Sequence, residues 1–218
     1  MQTRKALPGG LMKDIIIVQH CQSEHHINGL VGGWTDTPLT EKGRAQARAV
    51  ATRLLAATGN ETFHLYASDL LRAAQTAEII AERLGIDVIS APGLREVNNG
   101  IEAGKTREWV KLHSLPPPKE KTIDFSPCEG AEIWREFYHR TAQAMEAIRQ
   151  EGHERVMLVT HGHVLCNIIA WWLRLPVEVL AGSRFVGNPG GITRLGEDRK
   201  GIRFMGSFND MHHLDHLA

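Results

Sequence analysis

Apolar and polar positions along this chain fall into two periods, and their alternation predicts an α/β protein. Ile15-Ile16-Ile17-Val18-Gln19 and Val156-Met157-Leu158-Val159-Thr160 are short apolar runs with no polar face. Runs of this kind read as strands buried on both sides of a parallel sheet. His64–Ala67 and Asp87–Ser90 are shorter strand candidates. Between them the period lengthens to that of helices. Thr40 caps one, with Leu54 and Leu55 inward, which ends near Gly59. Ser68 or Asp69 caps a second, running to about Leu84 and stopped by Gly85. A third spans about Glu129 to Gln150, and a fourth follows the strand at 156–160 directly. The pattern weakens from Gly104 to Trp134, around Pro116-Pro117-Pro118, and so long a connection inside a compact domain reads as a lid or binding segment. The tail, Gly191 to Leu217, reads as an antiparallel pair, Ile192–Leu195 with Ile202–Met205, added at the sheet edge.

Composition narrows the picture. The 218 residues suit a single domain at 14–218, preceded by an extension at 1–13 that is expected to be flexible. A chain of this length buries roughly 70% of the surface it exposes when unfolded. The extension has no apolar centre and does not read as a signal peptide. The apolar stretch Val164 to Leu173 is broken by Asn167 and is too short to span a bilayer. Lys and Arg number 25, as do Asp and Glu, so no bulk charge recruits nucleic acid or an anionic membrane. Three cysteines, Cys21, Cys128 and Cys166, make no CxxC pair, which argues against a disulfide framework and for the cytoplasm.

The candidate chemistry lies at strand ends. Each long apolar run leads straight into a histidine, His20 and His161. Ligands of open α/β sheets collect at the carboxyl ends of strands, so two imidazoles delivered there point to a phosphoryl or metal site. A helix starting at Gly162 would add free N–H groups facing an anion. Arg72 lies in the first turn of its helix, where a cation is disfavoured by roughly 0.3–1 kcal/mol. Pairing with Asp69 would return only about 0.2–0.5 kcal/mol. A side chain leaning toward the helix N-terminus to meet a bound anion explains the placement better. Glu96, after Leu94-Arg95, reads alone as a solvated loop carboxylate.

Taken in order, these residues resemble the histidine phosphatase superfamily in its phosphoglycerate-mutase-like branch. The matches are His20, the run Trp34-Thr35-Asp36-Thr37-Pro38-Leu39-Thr40-Glu41-Lys42-Gly43, Ser68 through Thr76, Leu94-Arg95-Glu96, Thr160-His161-Gly162 and the tail Phe208 to Leu214. The resemblance implies a three-layer α/β fold with a mostly parallel sheet, and a covalent phosphohistidine mechanism on a small phosphorylated substrate. It makes His20 the nucleophile, Arg72 and His161 the holders of the phosphoryl oxygens, and Glu96 a general acid with a raised pKa. Gln19, Ser23, His26, Gly162 and His163 are further candidates for phosphate contact. No metal or cofactor is implied, and a homodimer is left open.

Departures from that pattern qualify it. Gln19-His20-Cys21 stands where the family has Arg-His-Gly, His26 replaces a common asparagine, and Leu30 takes the place of a further arginine. A neutral Gln19 predicts a slow or narrowly selective enzyme. The stretch after Glu96 lacks the insert of true mutases, which favours hydrolysis over transfer. Two other classes stay open: a non-catalytic phosphate-binding relative, and a metal hydrolase in which His20, His25, His26, His161 and His163 crowd one cleft.

Overall fold

The computed structural model describes residues 12–59 and 61–217. Most of the expected extension lies outside that span, but its last two residues belong to the domain. Met12 is buried in the core, and the Lys13 N–H donates to the Glu154 carbonyl at 2.8 Å.

Among the described residues, β1 (Asp14–Gln19), β2 (His64–Ala67), β3 (Val88–Ser90), β4 (Arg155–Thr160), β5 (Ile192–Glu197) and β6 (Arg203–Asp210) form one sheet. Its order is β3-β2-β4-β1-β5-β6, with the first four parallel and the last two antiparallel. The tail pair is longer than its apolar pattern shows. Leu195 faces Met205 as expected, but pairing continues to Ile192 opposite Asp210. An edge strand has one open side and needs no apolar face to extend. The helices are α1 (Glu24–Ile27), α2 (Glu41–Thr58), α3 (Leu71–Leu84), α4 (Arg107–His113), α5 (Trp134–Gln150) and α6 (Gly162–Leu173).

Both faces of the central strands are covered, as their unbroken apolar runs require. Ile16, Val18, Met157 and Val159 pack with Val50, Leu54, Ala77 and Ile80 of α2 and α3. The alternate residues Ile15, Ile17, Val156 and Leu158 pack with Phe137 and Met145 of α5 and Ile168 and Trp172 of α6. The chain leaves β1 and β2 with helices on one face, and leaves β3 and β4 with helices on the other. Where those directions part, between β1 and β4, the strand ends open into a crevice. The parallel register pairs Gln19 with Thr160, and the His20 N–H donates to the Thr160 carbonyl at 2.8 Å. His20 and His161 therefore emerge side by side.

Local expectations held where the cap was local. Thr40 Oγ1 accepts from the Gly43 N–H at 3.0 Å, and Gly85 closes α3 in the left-handed conformation. Neither Ser68 nor Asp69 is the N-cap of α3; that position is Leu70. The Leu71 N–H instead donates to the Asp36 carboxylate at 2.6 Å, while Asp69 is turned to Arg95. A cap borrowed from a distant loop leaves no mark in the neighbouring sequence. The third helix starts at Trp134 rather than Glu129, because residues 128–131 form a turn around Gly130 and Ala131 bridges to Asn99.

Candidate active site

The floor of the crevice is three side chains in contact. His20 Nδ1 lies 2.8 Å from the Cys21 carbonyl. A carbonyl only accepts, so the ring proton is on Nδ1 and Nε2 carries a bare lone pair. Arg72 Nε donates to that Nε2 at 3.1 Å. The same guanidinium donates to the carbonyls of Thr35 and Gly33, both at 2.8 Å. Gly33 adopts φ +57°, and a Cβ there would sit 2.6 Å from Asn99, so the loop can approach Arg72 only as glycine. Behind them, His161 packs edge-on to His20 with ring centroids 5.0 Å apart, and its Nε2 meets Ser68 Oγ at 2.8 Å.

The charge on this floor is unbalanced. Arg72 is 1% exposed, and among the described residues no carboxylate lies within ion-pair distance of it. Burial lowers its pKa to about 10, so it stays a cation at neutral pH. Burial, and then Arg72 itself, hold His20 and His161 well below the ordinary imidazole range. Glu96 and Asp36 act on this cation only from beyond ion-pair distance, so it lacks a contacting counter-ion, and an arriving anion would supply one. His161 Nδ1 and Gln19 Oε1 are also buried without a hydrogen-bond partner among the described residues.

Above the floor is a cleft of about 520 Å³. Gln19, His20, His26, Arg72, Glu96, Gly162 and His163 line it, as sequence reasoning placed them. Ser23 does not: it is fully buried, and its Oγ contacts His25 Nδ1 at 2.9 Å. Its role is to hold a histidine that sequence reasoning left out of the phosphate-contact set. His25 lines the cleft, its pKa lowered to about 3 by burial, then His26 and Arg72. Arg107 and Arg184 were also missed. Both come from connections without a periodic pattern, and no local signal separates them from solvated arginines. Of the segment expected to act as a lid, Arg107 alone reaches the cleft, while Ile123 is buried against α6 and pins the remainder.

Glu96 also departs from expectation. Burial pushes its carboxyl up, but His163 and the N–H groups of Val97 and His163 outweigh that, and its pKa is lowered. Its backbone is fixed from two sides: Trp34 Nε1 and Arg140 Nη2 donate to the Glu96 carbonyl at 2.8 and 3.0 Å. The His163 N–H, expected to face a phosphoryl group, donates to Glu96 Oε2 at 3.2 Å. The clustered histidine rings stack and tilt against one another, His20 on His26 at 5.4 Å and His25 on His26 at 4.1 Å. Among the described residues no group of three His, Cys, Asp or Glu side chains is disposed to hold a metal ion.

The fold and this floor are those of the histidine phosphatase superfamily. The family model for the histidine phosphatase superfamily (branch 1) matches residues 15–210, and the chain belongs to that superfamily. It is 34% identical over 175 residues to probable phosphoglycerate mutase GpmB of Escherichia coli O1:K1, covering 76% of this chain and 77% of the relative. The Proteus mirabilis GpmB is 32% identical over 170 residues, with the same coverage. Bacillus stearothermophilus YhfR superposes with a TM-score of 0.78 at 24% identity, covering 93% of this chain and 99% of that one. The α-ribazole phosphatase of Shigella flexneri gives 0.76 at 20% identity, covering 90% and 96%. Among the described residues no helix is long and apolar enough to cross a membrane.

Proposed function

We propose that the protein is a cytoplasmic, metal-independent phosphomonoesterase that works through a phosphohistidine at His20. The observation that carries this reading is the tautomer: Nδ1–H is held by the Cys21 carbonyl, and the bare Nε2 faces the one buried cation of the floor. Nε2 attacks phosphorus as the ester oxygen leaves, and water then takes the phosphoryl group from Nε2. Arg72 carries the charge that spreads over the phosphoryl oxygens. Ser68 Oγ already accepts from the Leu70 N–H at 3.3 Å, so its own proton can go to His161 Nε2. That leaves His161 Nδ1–H free to donate to the phosphoryl group. Glu96 delivers the proton to the leaving oxygen.

The relatives' names fit small phosphorylated metabolites, and the GpmB names keep mutase-type transfer as the second reading. The missing charge at Gln19 favours a third, a binding relative without turnover.

Mixing the protein with an aryl phosphate and quenching within one turnover should give an acid-labile phosphate on His20. His20→Ala should abolish both label and turnover. A label on Cys21 or Ser23, or turnover that survives His20→Ala, overturns the mechanism. Phosphate binding without label or turnover assigns the binding role, and label that passes to an added sugar hydroxyl rather than to water assigns transfer.

A further inference from the structure

A general acid must hold a proton when its substrate arrives, and Glu96 is poorly placed to hold one alone. Its Oε1 accepts from the Val97 N–H at 2.9 Å and its Oε2 from the His163 N–H at 3.2 Å. Hydrogen bonds donated to both oxygens favour the carboxylate. The His163 ring is on the same side, with Nδ1 3.5 Å from Oε2. The carboxyl group is 12% exposed and the imidazole 54% exposed, so His163 is the more open of the two to proton exchange with water. Both line the cleft beside His20.

From this geometry we infer that His163 stores the catalytic proton, and that Glu96 passes it between that ring and the leaving oxygen. The inference rests on the phosphatase reading above. In the resting enzyme Nδ1–H is on an imidazolium and Glu96 is an anion. A phosphoryl dianion entering the cleft raises the carboxylate's affinity for a proton, and the proton moves from Nδ1 to Oε2. As the His20 Nε2–P bond forms and the ester P–O bond breaks, Glu96 gives that proton to the departing oxygen. In the second half the attacking water loses a proton to Glu96, which returns it to His163, and the cycle closes with no net change.

The charges around the pair agree. Glu96 raises the pKa of His163, burial opposes it and Arg184 lowers it slightly. Arg184 is held over the Trp134 ring at 3.8 Å, and His163 meets the edge of that ring at 5.2 Å. Arg72 acts on Glu96 from the floor and His25 from the cleft wall, and Arg140 holds its backbone. The raised imidazole sets the sign: the stored proton is present at lower pH and lost as pH rises through the His163 value.

The test is the pH profile of kcat/KM on an alkyl phosphate and an aryl phosphate, for the full-length protein and four variants. His163→Gln should move the alkaline limb for the alkyl ester down by roughly two units, the gap between ordinary imidazole and carboxyl values. At neutral pH the same variant should lose roughly 10²-fold on that ester. The aryl ester, whose oxygen leaves without a proton, should lose far less. His163→Lys restores the charge but does not release a proton near neutrality, so it should stay as slow on the alkyl ester as His163→Gln. Imidazole added to His163→Ala should recover activity. Glu96→Gln should show the same leaving-group dependence. No turnover by the natural protein overturns the phosphatase reading and this one with it. Turnover with an unmoved limb in His163→Gln, or full activity in His163→Lys, overturns this inference alone.

Discussion

The floor and the rim of the cleft are built on opposite principles. His20, Arg72 and His161 are at most 4% exposed and sit on strand and helix ends tied by the β1–β4 register. His26, Arg107, His163 and Arg184 are exposed and come from short helices, loops and the first turn of α6. On the floor one guanidinium is almost wholly buried and Glu96 and Asp36 act on it only from beyond ion-pair distance, so its attraction for an arriving anion is strong at short range. On the rim the cations are hydrated and screened. On the proposed reading, the floor recognises the transferable group common to every phosphate ester, and the rim meets whatever the ester carries.

That contrast can be broken in order of effect. Arg72→Met, which keeps volume and removes charge, should cost roughly 10³–10⁵ in kcat, the range for an arginine serving a phosphoryl transition state. Rapid-quench kinetics would check it, and a loss below tenfold would move the floor's charge elsewhere. Gln19 stands between the two regions, 8% exposed and packed beside Gly162 and Gly187, with its Oε1 unpartnered among the described residues. A hydrogen bond to a charged group is worth about 1.5–3 kcal/mol, so Gln19→Arg should raise kcat/KM on simple esters by roughly one to two powers of ten. A fall would show that the crevice is shaped around the amide. Arg107→Ala should be the mildest, changing KM by about fivefold or less with kcat unchanged, as for other exposed charges. Steady-state kinetics at two ionic strengths would show the rim effect fading with salt.

Legibility in the sequence follows the same division. The strands ending at His20 and His161 were readable because burial on both faces demands an unbroken apolar run. Arg72 was readable because a cation in a first helical turn is out of place. The Asp36 cap, the His25–Ser23 contact and the arrival of Arg107 and Arg184 depend on chain segments meeting across long separations, and no local period encodes that. Glu96 shows the limit most sharply. Its position was readable, but its protonation was not, since burial pushes its pKa up and His163, 67 residues away, with the N–H of Val97, brings it down.

The β1–β4 register has a consequence in time. Asp14 pairs with Arg155 and the His20 N–H is anchored on Thr160, so the ends of this contact leave the ribosome far apart. Helices form in about a microsecond, while pairing of such distant strands is among the slowest steps in folding. A chain whose helices have formed but whose sheet is still open has no carbonyl to fix the His20 backbone and no His161 behind the ring. Its histidine is an ordinary solvated imidazole. On the proposed reading, the reactive centre exists only once β1 and β4 have paired, and a chain whose sheet is still open has no means of attacking a phosphate ester.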